Sequence, residues 1–175
     1  MPKFIDPGIV VAQTGLAAGQ VVADFGCGSG FYVLPAAQIV GNSGLVYAID
    51  VVEAKLAATS SIATQFGYKN IRFVQADLSR PLTVVPSDSC DLVVMGNILH
   101  QVKPQEQVLK NAYRVLKSGG KLLVVEWKKV LSPIGPTMAD RVQPQHLEAL
   151  TLSVGLKRLL EIDVDNYHYA EVFLK

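Results

Sequence analysis

Apolar residues along the chain fall into two alternating rhythms. Short runs of five to eight residues read as strands: Val21–Phe25, Leu45–Ile49, Ile71–Ala76, Asp91–Gly96, Lys121–Trp127, Lys157–Val164 and His168–Leu174. Between them lie segments with helical spacing. Asp6-Pro7 is a helix start, with Ile9, Val10, Val11, Gln13 and Leu16 in a short helix ending near Gly15. Pro35 forbids a regular helix beginning at Phe31, so helix is expected from about Leu34, with Pro35 in its first turn and Gly41 as its stop. Glu53–Phe66 is expected to turn Leu56, Ala57, Ile62 and Phe66 inward, with Gly67 at its end. Pro104–Leu116 repeats Val108, Leu109, Ala112, Val115 and Leu116 at helical spacing, and Lys117-Ser-Gly119-Gly120 is its stop signal. Pro144–Val154 is a last helix, closed by Gly155. Pro81–Ser89 and Lys128–Asp140 carry prolines and no periodicity, and read as loops. Strands alternating with helices predict an α/β fold.

The chemistry sits after the first strand. Gly26, Gly28 and Gly30 alternate behind Val21–Phe25 and ahead of a helix, so backbone N–H groups and a helix N-terminus face whatever lies against the loop. A dinucleotide fingerprint wants a third glycine where Phe31 stands, counting from Gly26. An acid, Asp24, precedes the first glycine by two. A second acid, Asp50, ends the next strand 20 residues after Gly30, where a carboxylate can accept hydrogen bonds from both hydroxyls of a ribose or simply cap the following helix.

The pattern Asp24-x-Gly26-x-Gly28-x-Gly30, with Asp50 and the junction Leu116-Lys117-x-Gly119-Gly120, resembles class I S-adenosylmethionine (SAM) methyltransferases. The resemblance runs from about Asp6 to Lys175 and is greatest to the type 11 members related to ubiquinone and menaquinone C-methyltransferases. It implies a Rossmann-like seven-stranded sheet, mostly parallel with an antiparallel C-terminal hairpin strand, helices on both faces, and a single domain over residues 1–175. It implies SAM as cofactor, with Asp24, Gly26, Cys27, Gly28, Gly30, Asp50 and Val51 in its site. It also implies Asp77 against the adenine amino group with Leu78 on the ring, and Asn97 beside the methionine moiety. Asp77 as a plain turn former is the alternative. Phe31 and Tyr32 belong to the mouth of the loop, covering the methionine end or packing in the core. The implied activity is methyl transfer to a small-molecule acceptor by in-line displacement. A non-catalytic SAM-binding protein and a NAD-dependent oxidoreductase are the other readings of the same start.

His100, three residues past Asn97, is the candidate base for an acceptor that must lose a proton, with a backbone hydrogen bond as its alternative. Trp127 and Arg141, beside Glu126 and Lys128, are candidate acceptor residues. Trp127 offers an aromatic wall or a core indole; Arg141 offers a fork of donors or a solvated charge. His146 and His168 read as surface or packing residues.

Composition narrows the classes. Half the residues are apolar and 18% are charged, which is globular, and a net charge of +1 gives no case for nucleic acid. Cys27 and Cys90 make neither a disulfide framework nor a metal cluster. No apolar run reaches membrane-spanning length, and Met1–Asp6 lack the apolar core of a signal peptide, so a cytoplasmic protein is expected.

Overall fold

A computed structural model describes residues 5–175. The reading of Met1–Phe4 as free of a signal peptide lies outside the described residues. Five parallel strands, β1 (Val21–Phe25), β2 (Leu45–Asp50), β3 (Ile71–Gln75), β4 (Cys90–Gly96) and β5 (Leu116–Trp127), join β6 (Lys157–Ile162) and β7 (His168–Leu174) in one sheet of order β3-β2-β1-β4-β5-β7-β6. Only β7 is reversed: it runs antiparallel to both β5 and β6. The seven-stranded, mostly parallel sheet expected from the sequence is therefore present.

Its inner strands β1, β2 and β4 are buried on both faces because both faces are covered, whereas the edge strands β3 and β6 are partly exposed. Helices α1 (Pro7–Ala12), α2 (Val33–Val40) and α3 (Glu53–Gln65) put Val10, Val33, Ala37 and Leu56 on one face, against Val22, Val46, Val94 and Val125. Helices α4 (Gln105–Val115) and α5 (Pro144–Ser153) put Val108, Leu109, Ala112 and Leu147 on the other, against Phe25, Met95, Leu122 and Val124. Asp6 caps α1 as expected, its carboxylate accepting the Ile9 N–H at 3.1 Å. Among the described residues no helix is long and apolar enough to cross a membrane.

Two expectations are corrected. The buried face of α3 is Leu56, Thr59 and Ala63, whereas Ala57 is exposed and Phe66 is 71% exposed. Apolar residues ring this helix without forming a stripe, so a hydroxyl with a specific partner decides its rotation: Thr59 Oγ1 donates to the Gly28 carbonyl at 3.0 Å. The Lys117–Gly120 stop signal does end α4, but β5 starts at Leu116, already paired with Cys90, and a register shift before Leu92↔Lys121 absorbs the glycines.

A candidate cofactor and acceptor site

All five parallel strands end on one edge of the sheet. In an open α/β sheet that edge, where strand order reverses beside β1, is where a crevice forms. A cavity of about 530 Å³ lies there, a size suited to a nucleotide-like molecule.

The glycine loop forms its floor. The N–H groups of Gly26 and Cys27 both donate to the Ile49 carbonyl, at 2.8 and 2.9 Å, which staples the loop to β2. At two positions in the left-handed region any side chain would be strained and would have to displace a neighbour. A Cβ on Gly26 (φ 75°) would lie 2.2 Å from Ile98 Cδ1, and one on Gly30 (φ 84°) would lie 2.6 Å from Thr59 Cγ2.

Asp50 ends β2 with Oδ2 accepting the Gly28 N–H and Oδ1 accepting the Val52 N–H, each at 2.9 Å. A carboxylate has about four lone-pair directions, so roughly two remain for a ligand. Asp24 lies behind the loop on β1, 2% exposed, and its Oδ2 is buried without a partner. Burial, and secondarily the charge of Asp50, push its carboxyl up to about 8 from an ordinary 3.8. Asp50 lines the cavity, Asp24 lies near enough to feel its charge, and the unpaired buried Asp24 oxygen is open to a hydrogen-bond partner.

Gly26, Cys27, Gly28, Asp50, Val51, Asp77, Leu78 and Asn97 all line the cavity; Asp24 and Gly30 do not. Asp77 also makes a turn: its Oδ1 accepts the Ser79 N–H at 2.9 Å and the Ser79 hydroxyl at 2.6 Å, and these bonds hold the carboxyl below its ordinary range. Cys27 is buried, and burial together with Asp24 and Asp50 raises its thiol, so it packs rather than reacts. Asn97 sits in the left-handed region (φ 55°), its N–H donating to the Val125 carbonyl at 2.8 Å, with its Oδ1 buried and unpaired among the described residues. Asn is among the few residues that tolerate that backbone.

His100 stands one turn beyond Asn97, outside the cavity lining. Its Nδ1 lies 2.8 Å from Oε2 of Glu126, which is fully buried at the end of β5. Trp127 and Arg141 also lie outside that lining. Arg141 is 6% exposed and its guanidinium is spent: Nε donates to the Pro136 carbonyl, Nη1 to those of Lys128 and Val130, and Nη2 to Ser132 Oγ. It lies 5.5 Å over the Trp127 ring, whose neighbour is His168 with ring centroids 4.0 Å apart. This set organises the loop after β5.

Five contributors escaped the sequence reading. Thr59 has no motif. Asn111, one polar residue inside the apolar stripe of α4, holds the segment after Asp77 through the Leu78 and Arg80 carbonyls, at 3.0 and 2.8 Å, and the Leu82 N–H at 3.0 Å. A buried amide within such a stripe is the signal that finds it. Ile98, Gln101 and Val102, in the turn after β4, line the cavity by tertiary placement alone.

A family profile described as "Methyltransferase domain" matches residues 16–158 of this chain. The chain belongs to the class I SAM-dependent methyltransferase family. SAM is its cofactor, and the nicotinamide reading is set aside. A relative from Marinomonas sp., the ubiquinone/menaquinone biosynthesis C-methyltransferase UbiE, is 31% identical over 160 residues. That alignment takes in 91% of this chain and 61% of the relative, and the UbiE of Hahella chejuensis gives the same three figures. The chain thus spans about three fifths of the length of the curated relatives it matches. Among solved structures, a SAM-dependent methyltransferase from Aquifex aeolicus superposes with a TM-score of 0.90 at 25% identity, over 98% of this chain and 90% of that one. A putative type 11 methyltransferase from Sulfolobus solfataricus shares the fold at a TM-score of 0.71 and 22% identity, over 89% of this chain and 83% of that one.

The residues present fit SAM. Asp50 retains acceptor capacity for ribose hydroxyls, Leu78, Val51 and Ile98 offer apolar surface for a base, and the orphaned Asp24 oxygen suits an ammonium.

Proposed function

We propose that this chain is a SAM-dependent methyltransferase that methylates a small-molecule acceptor, the activity residing in one domain over residues 1–175. The observation that supports it most is the pairing of Asp24 and Asp50 behind one glycine loop, with an unpaired buried carboxyl oxygen on Asp24. Bound SAM supplies an electrophilic methyl on a sulfonium. The chain's own residues bind, orient and manage a proton. Asp50 receives the ribose hydroxyls, Asp77 and Leu78 the adenine, and Asp24 and Asn97 the amino-acid end. The glycine loop (Gly26, Cys27, Gly28, Gly30) and Val51 shape the floor. Positioning two reactants is worth up to about 7–11 kcal/mol in favourable cases, so orientation carries most of the acceleration.

His100 accepts the proton that an N–H or O–H acceptor gives up. Glu126 fixes its ring through Nδ1, which leaves Nε2 for the acceptor, in the logic of a base oriented by a buried carboxylate. Trp127 and Arg141 act one step back, holding the loop that borders the acceptor space. A modest net charge supports a small molecule over a nucleic acid, and two unpaired buried cysteines suit a reducing, cytoplasmic setting.

Calorimetric titration with S-adenosylhomocysteine (SAH), followed by turnover of SAM across a panel of amines, phenols and quinols, tests the proposal. Absence of SAH binding at millimolar ligand refutes it. Binding without turnover on any acceptor points to a SAM-binding protein that does not catalyse.

A further inference from the structure

We propose that Tyr32 is an acceptor-binding residue whose hydroxyl receives an N–H of an amine that arrives as its ammonium; this rests on the methyltransferase reading above. The tyrosine ring is pinned on the end of β4, since a Cβ on Gly96 would fall 2.3 Å from Tyr32 Cε2. Phe31 meets the same ring edge-on at 5.2 Å between centroids. The phenol oxygen held by this clamp is buried and has no partner among the described residues. A tyrosine that served only packing would be matched by phenylalanine, without the cost of an unsatisfied hydroxyl.

Tyr32 lines the cofactor cavity with its ring on Gly96 at the end of β4, between Asp24 on β1 and Glu126 on β5. These two acids, with Asp165 between β6 and β7, act on its hydroxyl. Those three acids and burial keep the phenol protonated, so Tyr32 positions the acceptor and takes no proton.

The same surroundings select the acceptor's chemistry. The neighbouring cations are committed: Arg141 to three carbonyls and Ser132, and Lys128 Nζ to the Asp165 carbonyl at 2.8 Å. His100 and His168 are paired with Glu126 and Asp165. A carboxylate or phosphate group would meet Glu126 and Asp165 with Arg141 and Lys128 already engaged, whereas an ammonium would be attracted. The ammonium first passes one proton to His100; in the transfer the freed nitrogen lone pair forms the N–CH₃ bond and the C–S electron pair returns to sulfur. Positive charge develops on nitrogen during that step, and carboxylates around Tyr32 stabilise it.

The test uses SAH-loaded protein at neutral pH, with benzylamine as its ammonium and benzoate as aromatic probes of similar size and opposite charge, in wild type and Tyr32→Phe. The expected result is benzylamine binding at least tenfold tighter than benzoate. In Tyr32→Phe, benzylamine affinity falls by about fivefold to tenfold, as for one lost hydrogen bond. SAH affinity stays within about twofold of wild type, and the melting temperature does not fall, because an orphaned hydroxyl has been removed. Any of four outcomes overturns the inference: no benzylamine binding to wild type, equal benzoate binding, undiminished benzylamine binding to Tyr32→Phe, or loss of SAH affinity in Tyr32→Phe, which would assign the hydroxyl to the cofactor. Failure of wild type to bind SAH at all is a separate result and removes the methyltransferase reading first.

Discussion

Replacing Asp24 with asparagine separates the stability of this protein from its ligand binding, because the two are expected to move in opposite directions. Asp24 is 2% exposed, and its carboxyl titrates near pH 8 in the folded chain against 3.8 in an unfolded one. A folded-state value raised above the unfolded value means that stability is fully present below the unfolded value and is lost as pH rises through the folded one. Between roughly pH 4 and 8 the folded chain holds one proton more than the unfolded chain. Its stability therefore falls by about 1.4 kcal/mol per pH unit from this group alone. Asparagine is isosteric and uncharged, and it abolishes that slope. The stability difference, Asp24→Asn minus wild type, should grow by about 2.7 kcal/mol between pH 5.5 and 7.5. Urea unfolding of the ligand-free proteins at the two pH values measures it. A difference that stays constant within about 0.5 kcal/mol would mean that Asp24 is ionised when folded, and the argument from its burial would be wrong. Meanwhile the variant lacks a carboxylate for the cofactor's ammonium, so SAH should bind about 10- to 100-fold more weakly at pH 7.5, as for one lost charge-assisted hydrogen bond. A buried acid retained at a cost in stability is what a binding site requires.

Other variants probe other parts of the site. SAH at a hundredfold excess over its dissociation constant should stabilise the wild type by about 2.7 kcal/mol, seen as a raised melting temperature, and no shift would count against the cofactor site. Asp50→Ala should weaken SAH binding by about 1–3 kcal/mol by calorimetry, since the ribose loses its acceptor and the Gly28 and Val52 N–H groups lose theirs. Gly30→Ala should lower both stability and SAH affinity, because its Cβ would collide with Thr59 at 2.6 Å on a backbone with φ 84°; wild-type melting would show that the loop yields. Arg141→Ala should destabilise by about 1–3 kcal/mol and expose the Lys128–Asp140 loop to limited proteolysis, while SAH affinity stays unchanged; a protease-resistant loop would show that it is ordered by something else.

The hydrophobic rhythm and the turn residues sufficed for the order and kind of every element, because strand and helix periods are local properties of the chain. The glycine spacing after β1 and the acids at Asp24 and Asp50 marked the cofactor edge for a related reason: strand ends in a parallel sheet converge on one side, so sequence positions translate into shared location. The rotation of α3 was not legible, since its outcome hangs on one hydroxyl finding a carbonyl 31 residues away. Nor was the difference between His100, paired to Glu126 across β4 and β5, and Arg141, consumed by its own loop; both are polar residues near a strand end until the fold supplies their partners. The buried oxygens that matter most, one each from Asp24, Tyr32 and Asn97, show the same division. Their residue types were visible in the chain, but the burial that raises Asp24 and leaves these oxygens without a partner among the described residues exists only once β1, β4 and β5 are packed side by side and water is excluded.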